Sequence, residues 1–207
     1  MNRIIKILFC LSITISTLQA QNNSEFNLEF VAGLNTHGTG DIPGYQFGFI
    51  YGQSVSNKLH LQIGFEGTLN DKPDFELFYE NQSGNLIDAS LHTVTSGMQL
   101  IFGLKYNFVQ TTNHEFGVSL LPLVRYQATS LSDSYDTLFP AITDLPFPVR
   151  NIIRIEPGRT FAVGAGLRLG YSCNFGNSLF LGINGGFQGD TNEDTIVSYF
   201  LSVGKKF

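Results

Sequence analysis

Charged side chains recur at alternate positions within otherwise apolar stretches of this sequence of 207 residues. Charges spaced in this way, with amide side chains at similar positions, would share one face of extended segments. Buried charges must be paired or hydrated, so we expect an internal network of salt bridges and hydrogen bonds, with a narrow polar pore or proton path as the alternative. The charged residues are Glu29, Glu66, Lys105, Arg125, Arg168 and also Lys206, and the amides are Gln46, Gln62, Gln99 and Asn184.

Other motifs give weaker signals of chemistry. Gly164, Gly166 and Gly170 have the spacing Gly-x-Gly-x-x-x-Gly with no helical pattern after them, which argues against a dinucleotide loop. The segment from Asp190 to Asp194 resembles the start of a calcium loop, but it lacks the Gly and the Glu that complete one. A solvated acidic loop is therefore the main interpretation, and a weak surface cation site is the alternative.

The histidines lie in different segments without metal-ligand spacing. His92, which is near Ser90 and Ser96, is the one candidate for hydrolytic chemistry, and we treat a lipid-modifying enzyme as a distant alternative. We predict no catalytic, cofactor-binding or metal-binding residues and no cofactor. The four histidines are His37, His60, His92 and His114.

The elements that position the inward charges are runs in which apolar and polar or small residues alternate. Eight such runs follow one another, and each is long enough to cross a bilayer as a tilted strand of roughly 9–11 residues. Counting residues along the runs places Glu66 and Arg125 in the outer half of the barrel. The same count places Glu29, Lys105 and Arg168 in the inner, periplasmic half. We expect opposite charges to pair within each half. The runs begin near Phe26, Tyr45, Leu59, Met98, Phe116, Phe161, Leu179 and Val197.

Connections between the runs alternate between short and long. Those at 54–58, 109–114 and 173–177 are short, whereas those at 35–44, 70–90, 129–158 and 188–195 are longer. The longer ones hold 13 of the 17 acidic residues. Short periplasmic turns and longer extracellular loops are typical of bacterial outer-membrane barrels. The sequence therefore predicts an all-β fold, an eight-stranded antiparallel up-and-down transmembrane β-barrel.

The N-terminal residues have the layout of a secretory signal peptide. Arg3 and Lys6 precede an apolar run that is too short to span a bilayer, and a cleavage point between Ala20 and Gln21 follows. We therefore assign residues 1–20 to a cleaved signal peptide and 21–207 to the barrel domain. Removing the signal leaves 10 basic against 17 acidic residues, a formal net charge of −7, which makes nucleic acid a poor partner. Cys173 is then the only cysteine.

A membrane barrel fits this pattern better than a secreted, lipocalin-like binder. One face of the runs is Leu, Phe, Val, Ile and Tyr almost throughout, whereas the other mixes Gly with amides, Ser and a few charges. A lipid-facing barrel needs the apolar face outside, and closure pairs every backbone group. A soluble barrel would place the Gly-rich face in water. The composition is also low in charge, at 14% against about 25% in soluble domains.

The alternating runs and the final segment resemble the small outer-membrane β-barrel family, including its PorT-like and OmpX-like members. The resemblance covers residues 21–207 and implies that the last strand is read by the barrel-insertion machinery. The resemblance assigns this insertion signal to four residues of the last strand, Tyr199, Leu201, Val203 and Phe207. Lys205 interrupts the apolar face, but a lysine near the interface can extend to water. The resemblance implies outer-membrane localisation and contact with outer-membrane lipid.

Two loops carry features that suggest partner binding. Loop 129–158 holds four prolines among many apolar residues, which suggests a lid over the barrel, an extension of the sixth strand over 149–156, or a partner-binding segment. Loop 70–90 is expected to form a hairpin, with 75–80 turning at 81–84. We therefore predict a non-enzymatic barrel with a structural, partner-binding or secretion- or surface-attachment-supporting role, in which these loops contact an envelope or secretion-system protein. A narrow passive, porin-like channel is the alternative.

Overall fold

The computed structural model describes residues 25–38, 42–75, 78–80, 83–88, 91–130, 134–143, 146–154, 158–175 and 178–207. Residues 1–20 lie outside this part of the chain, so the signal peptide and the cleavage point at Ala20 and Gln21 stay predictions. Among the residues described, every helix falls short of the length and hydrophobicity that a membrane-spanning helix needs.

Eight long strands form a closed antiparallel barrel, which confirms the predicted fold class. Strands that are neighbours in sequence pair with each other, and the first pairs with the last. Their bounds are β1 Phe26–His37, β2 Ile42–Ser54, β3 Leu59–Phe75, β6 Leu91–Gln110, β7 His114–Thr129, β10 Gly158–Asn174, β11 Leu179–Asp190 and β12 Thr195–Lys206. Shorter elements lie in two of the connections: β4 Phe78–Glu80, β5 Leu86–Asp88, β8 Ser134–Leu138, α1 Pro140–Thr143 and β9 Val149–Arg154.

Side chains alternate between the two faces of every barrel strand, as the sequence pattern predicted. In β7, for example, Leu120, Val124 and Tyr126 are exposed, whereas Leu121 and Arg125 are buried. The exposed face is apolar around the whole barrel. That arrangement is the reverse of a soluble barrel, which would bury its apolar face, so it excludes the lipocalin-like alternative.

The barrel closes where β1 meets β12. Phe26 and Phe207 exchange backbone hydrogen bonds of 3.2 and 2.8 Å, and their rings stack with centroids 4.8 Å apart. Further along this seam, a Cβ atom at Gly33 would overlap the backbone carbonyl oxygen of Tyr199. Glycine at this position therefore lets the two backbones approach closely.

The connections differ from the prediction at one end of the barrel. β1 and β2 are joined over 38–41, and β11 and β12 over 191–194, so these two connections are short rather than long. The strands simply extend further than alternation alone indicated, because backbone pairing continues past the last apolar residue. The difference in length between the two ends comes from the second and third connections alone.

The second connection forms an arm beyond the barrel. β3 and β6 stay paired as far as Phe75 and Leu91, whereas pairing of β2 with β3 ends at Asn70. β4 and β5 then add a hairpin, close to the one predicted. We call this ribbon and hairpin the second-loop arm.

The third connection forms another arm, and one prediction for it is wrong. Val149–Arg154 does not extend β10, which is the sixth strand of the barrel. It pairs instead with Ser134–Leu138 in a separate two-stranded sheet, and α1 lies between the two strands in sequence. β8 and β9 are close in sequence, so their antiparallel pairing has a small cost in loop-closure entropy. We call 134–154 the third-loop arm, the end with both arms the arm end, and the opposite end the short-turn end.

Candidate functional site

The polar interior of the barrel brings together side chains from most of the strands. Glu66 of β3 is completely buried, and its carboxylate accepts hydrogen bonds of 2.8 Å from Gln46 Nε2 and 2.9 Å from Gln99 Nε2. Its other oxygen forms an ion pair with Arg168 Nη2 at 2.8 Å. Three neighbours thus satisfy one buried charge, as burial of a carboxylate requires.

Arg125 of β7 is equally buried, but amide and hydroxyl oxygens surround it. Its Nε donates to Gln127 Oε1 at 2.9 Å, its Nη2 to Thr68 Oγ1 at 2.9 Å, and its Nη1 to Gln99 Oε1 at 3.3 Å. Gln99 and Gln188 exchange two further hydrogen bonds, of 3.0 and 2.9 Å. The Glu66 and Arg125 clusters are therefore one continuous network joined through Gln99.

The expected pairing of Glu66 with Arg125 is wrong. In the strand register Glu66 lies opposite Gln99, and Gln99 lies opposite Arg125, so the strand β6 separates the two charges. Glu66 instead pairs across the barrel with Arg168, whose guanidinium carbon lies 4.5 Å from the Phe200 ring centroid. Counting residues along each strand ignored strand tilt, which brings side chains of different counted heights to the same level.

Glu29 and Lys105 were also expected to pair within their half of the barrel, and they do not. Both line one cavity of about 10 Å³, together with Arg168. Neither takes part in an ion pair shorter than 4.0 Å with any residue whose side chain the structure describes. The sequence therefore predicted correctly that both residues lie in the interior, but the predicted contact between them is wrong.

Polar residues missed by sequence reasoning lie at the arm end of the interior. His37 Nε2 is 3.4 Å from Gln127 Oε1 and 3.8 Å from Asp194 Oδ2, and Gln127 Nε2 also donates to Asp194. Asn70 Nδ2 donates to Asn35 Oδ1 nearby. The inward parity of His37 and Asn35 in β1 was a usable signal for their position.

The short-turn end holds a second group of polar contacts. Lys206 Nζ forms an ion pair with Glu115, and Asn174 Nδ2 lies 3.5 Å from the same carboxylate oxygen. His60 Nδ1 is 3.0 Å from Ser54 Oγ, and its Nε2 is 3.1 Å from Asn107 Nδ2. Glu115 was missed because it directly precedes Phe116, the first apolar residue of its run, and follows the segment expected to be a turn.

An apolar cluster shares the interior with these polar groups. Its members come from β1, β2, β6, β7 and β12, so they occupy the width of the barrel rather than one wall. Side chains therefore fill this small barrel, as eight strands generally require. The cluster consists of Val31, Ile50, Ile101, Leu121, Leu123 and Phe200.

The weaker candidate motifs acquire no chemistry from the structure. Asp190 Oδ1 accepts the backbone N–H of Asn192 at 2.9 Å, which is the contact of an ordinary tight turn. Within the part of the chain described, no group of three or more His, Cys, Asp or Glu side chains could hold a metal ion. Ser90 and the side chain of His92 lie outside the part of the chain that the structure describes. The candidate site of a lipid-modifying enzyme therefore also lies outside it.

Three residues of the proposed insertion signal lie on the outward face of β12, and the fourth, Phe207, directly follows that strand. Tyr199, Leu201, Val203 and Phe207 are exposed by 66, 68, 45 and 51%. Lys205 Nζ lies 4.9 Å from the Phe207 ring centroid, so its charge borders an aromatic face at the short-turn end. Their role in insertion stays a prediction.

The fold defines the class of this protein as a small β-barrel of the outer-membrane type. The structure of Ail, the attachment invasion locus protein of Yersinia pestis, superposes with a TM-score of 0.52 and 10% identity, covering 90% of this chain and 100% of that one. Neisserial surface protein A superposes with a TM-score of 0.51 and 13% identity, covering 88% and 97%. No family model matches the sequence, and no curated protein matches it. These likenesses concern the fold alone.

Proposed function

We propose that the chain is a non-enzymatic outer-membrane β-barrel that binds a partner protein through its two arms. The observation that carries this proposal is the exposure of apolar side chains on arms that lie beyond the barrel. On the third-loop arm Phe139 and Ile142 are 59 and 72% exposed, and on the second-loop arm Phe78 and Leu86 are 54 and 74% exposed. Exposed apolar groups outside a lipid-facing band are expected where another molecule covers them.

Local structure supports a binding role for the third-loop arm. Phe139 directly precedes α1, and Ile142 Nα–H donates to the Phe139 carbonyl oxygen at 2.9 Å, so one helical turn holds both residues. The β8–β9 pairing forms the stem below this turn. A short, ordered stem with an apolar tip can insert into a partner with less ordering entropy than a free loop.

Orientation and localisation belong to the same proposal. The apolar outward face supports insertion into lipid, and the acidic arms support an extracellular position for the arm end. The short-turn end, which holds Phe207, would then face the periplasm. The resemblance to PorT-like barrels extends the proposal to support of a secretion or surface-attachment system, whose components would meet the barrel at one of these ends.

The interior supports a binding or structural role better than a channel. The buried network and the apolar cluster occupy the barrel width, and two cavities within the part of the chain described measure about 10 Å³ each. A cavity of that size holds about one water molecule. A passive channel would need a wider and continuous polar lumen.

Site-specific photo-crosslinking in intact cells tests the proposal. A photoreactive residue at Ile142 or Leu86 should yield a protein adduct of defined mass, and the same residue at Ser56, in a short turn, serves as the matched control. Phe139→Ser together with Ile142→Ser should remove the adduct formed at Leu86 only if both arms contact one partner. Adducts with lipid alone, or with protein at Ser56 alone, would contradict partner binding through the arms.

A labelling experiment tests the orientation separately. In a Cys173→Ser background, a cysteine introduced at Ile142 should react with a membrane-impermeant maleimide in whole cells. A cysteine at Ser56 should react only after the outer membrane is permeabilised. The reverse pattern would show that the arm end faces the periplasm.

A further inference from the structure

The cavity that Glu29 shares with Lys105 is lined mainly by polar side chains, three of which are charged. Ile50 of β2 contributes an apolar side chain, and six other strands contribute polar ones: Glu29, Gln62, Lys105, Ser119, Arg168 and Asn184. Its volume is about 10 Å³. The cavity lies beside the Glu66–Arg168 ion pair, because Arg168 belongs to both.

Three charged groups at this cavity have unused hydrogen-bonding capacity. Glu29 is 9% exposed, and its carboxylate has no hydrogen bond or ion pair with another residue of the described chain. Lys105 has no ion pair within 4.0 Å among those residues. Arg168 Nε is buried without a hydrogen-bond partner, although Nη2 of the same side chain binds Glu66.

We propose that this cavity is a binding site for an ordered water molecule that bridges Glu29, Lys105 and Arg168. The Nε–H of Arg168 and the ammonium group of Lys105 donate to the water oxygen, and the water donates to the Glu29 carboxylate. Opposite charges that face one cavity without touching are the arrangement that a bridging water completes. Arg168 Nε is the buried atom that lacks a partner, and one water supplies that partner while it also reaches the other two charged groups.

Volume and charge identify water rather than an ion or a larger ligand. About 10 Å³ is the lower limit of the space that one water requires, so an organic molecule is excluded. The nearby charges are Glu29 and Glu66 against Lys105 and Arg168, and they cancel. A neutral site gives no net attraction to a cation or an anion.

This water extends the polar network of the barrel interior. The Glu66 network reaches the cavity through Arg168, and the water connects that network to Glu29 and Lys105. The hydrated network then includes two interior charges that have no direct ion pair among the described residues. The inference concerns the interior alone and is independent of partner binding by the arms.

NMR spectroscopy of the full barrel domain in lipid nanodiscs tests the site. Water-to-protein cross-peaks should appear at Arg168 Nε–H and at the backbone N–H of Gly170, which also lines the cavity. Their sign should show a residence time longer than molecular tumbling. A fully folded protein without these cross-peaks, or with a cross-peak pattern expected for a direct Glu29–Lys105 ion pair, would overturn the proposal.

Two variants give the measurement a matched control. Lys105→Met should shorten the residence time about tenfold or more, because one hydrogen bond to a charged group is lost. Lys205→Met changes an exposed lysine and should leave the residence time unaltered. Equal residence times in Lys105→Met and the unsubstituted protein would overturn the bridging role, and so would an Arg168 Nε resonance that responds to chloride or sodium. If Lys105→Met fails to fold, the measurement on the unsubstituted protein decides alone.

Discussion

The carboxylate of Glu66 and the guanidinium of Arg168 meet at 2.8 Å across the barrel, although 102 residues separate them in sequence. The contact joins β3 to β10, two strands that are not neighbours in the sheet. Backbone pairing ties each strand only to its two neighbours, so this ion pair links opposite walls directly. Both side chains are buried, which makes the contact sensitive to the loss of either partner.

Removing one partner of this pair should destabilise the barrel. We expect Arg168→Met to lower the free energy of unfolding by about 3–5 kcal/mol, because Glu66 keeps its charge without its cation. Arg159→Met, an exposed arginine of the same strand, should change it by less than about 0.5 kcal/mol. Urea unfolding in detergent micelles, followed by gel mobility, measures both. Equal effects of the two substitutions would show that the buried pair does not contribute.

The same pair should show energetic coupling in a double-mutant cycle. Glu66→Gln combined with Arg168→Met leaves no unpaired charge, so the double variant should be less destabilised than the sum of the single variants, by about 0.5–3 kcal/mol. Gln46 and Gln99 retain an amide oxygen to bind in this variant. Additive effects would indicate that the two side chains act independently.

The seam between β1 and β12 should tolerate no side chain at Gly33. We expect Gly33→Ala to destabilise the barrel by about 1–3 kcal/mol, because the added Cβ overlaps the Tyr199 backbone and the seam must open. Gly185→Ala is the control, since the nearest neighbour of an added Cβ there is a ring carbon of Tyr199 at 4.0 Å. Urea midpoints compare the two variants. A Gly33→Ala barrel as stable as Gly185→Ala would contradict the close approach.

Phe207 should act during assembly more than in the finished barrel. If the aromatic end of β12 is read by the insertion machinery, Phe207→Ala should slow the appearance of folded protein in the outer membrane. Phe187→Ala, at an outward residue of similar exposure (54 against 51%), should assemble at the original rate. Pulse-chase labelling with a heat-resistance gel assay gives both rates. Equal rates would remove Phe207 from the proposed signal.

The packed interior should prevent ion flow. We expect the unsubstituted protein to give no discrete conductance steps in planar bilayers. Glu66→Lys places a like charge beside Arg168 and should open transient steps, whereas Asp136→Lys, on the third-loop arm, should not. Steady conductance by the unsubstituted protein would instead favour the channel alternative.

Much of the barrel could be predicted from sequence because a lipid-facing strand leaves a strict period-two pattern. The exposed Leu120, Val124 and Tyr126, which alternate with buried Leu121 and Arg125, are one case. The pattern gives each residue a face but not a height, since height depends on strand tilt and register. For that reason Glu66 was correctly placed inside but was matched with the wrong arginine.

The arms were harder to predict than the barrel. The residues Val149–Arg154 alternate too little to distinguish a continuation of β10 from a hairpin with β8, and only the pairing partner decides. The sequence also overestimated the length of the first and last connections at the arm end. Polar residues such as His37 still pair in strands, so the strands continue further than the apolar pattern does. A sequence shows which residues favour extended structure, but not where hydrogen bonding between strands stops.

Seven of the barrel's eight junctions join strands that are consecutive along the barrel chain, but the β1–β12 seam joins its two extremes. Until β12 has been synthesised and docked, β1 keeps a row of unpaired backbone groups along its free edge. Such an edge is a template for pairing with the wrong strand. The β1–β12 seam therefore joins the two paired barrel strands that lie furthest apart in sequence, and the free edge of β1 is open to mispairing until this seam closes.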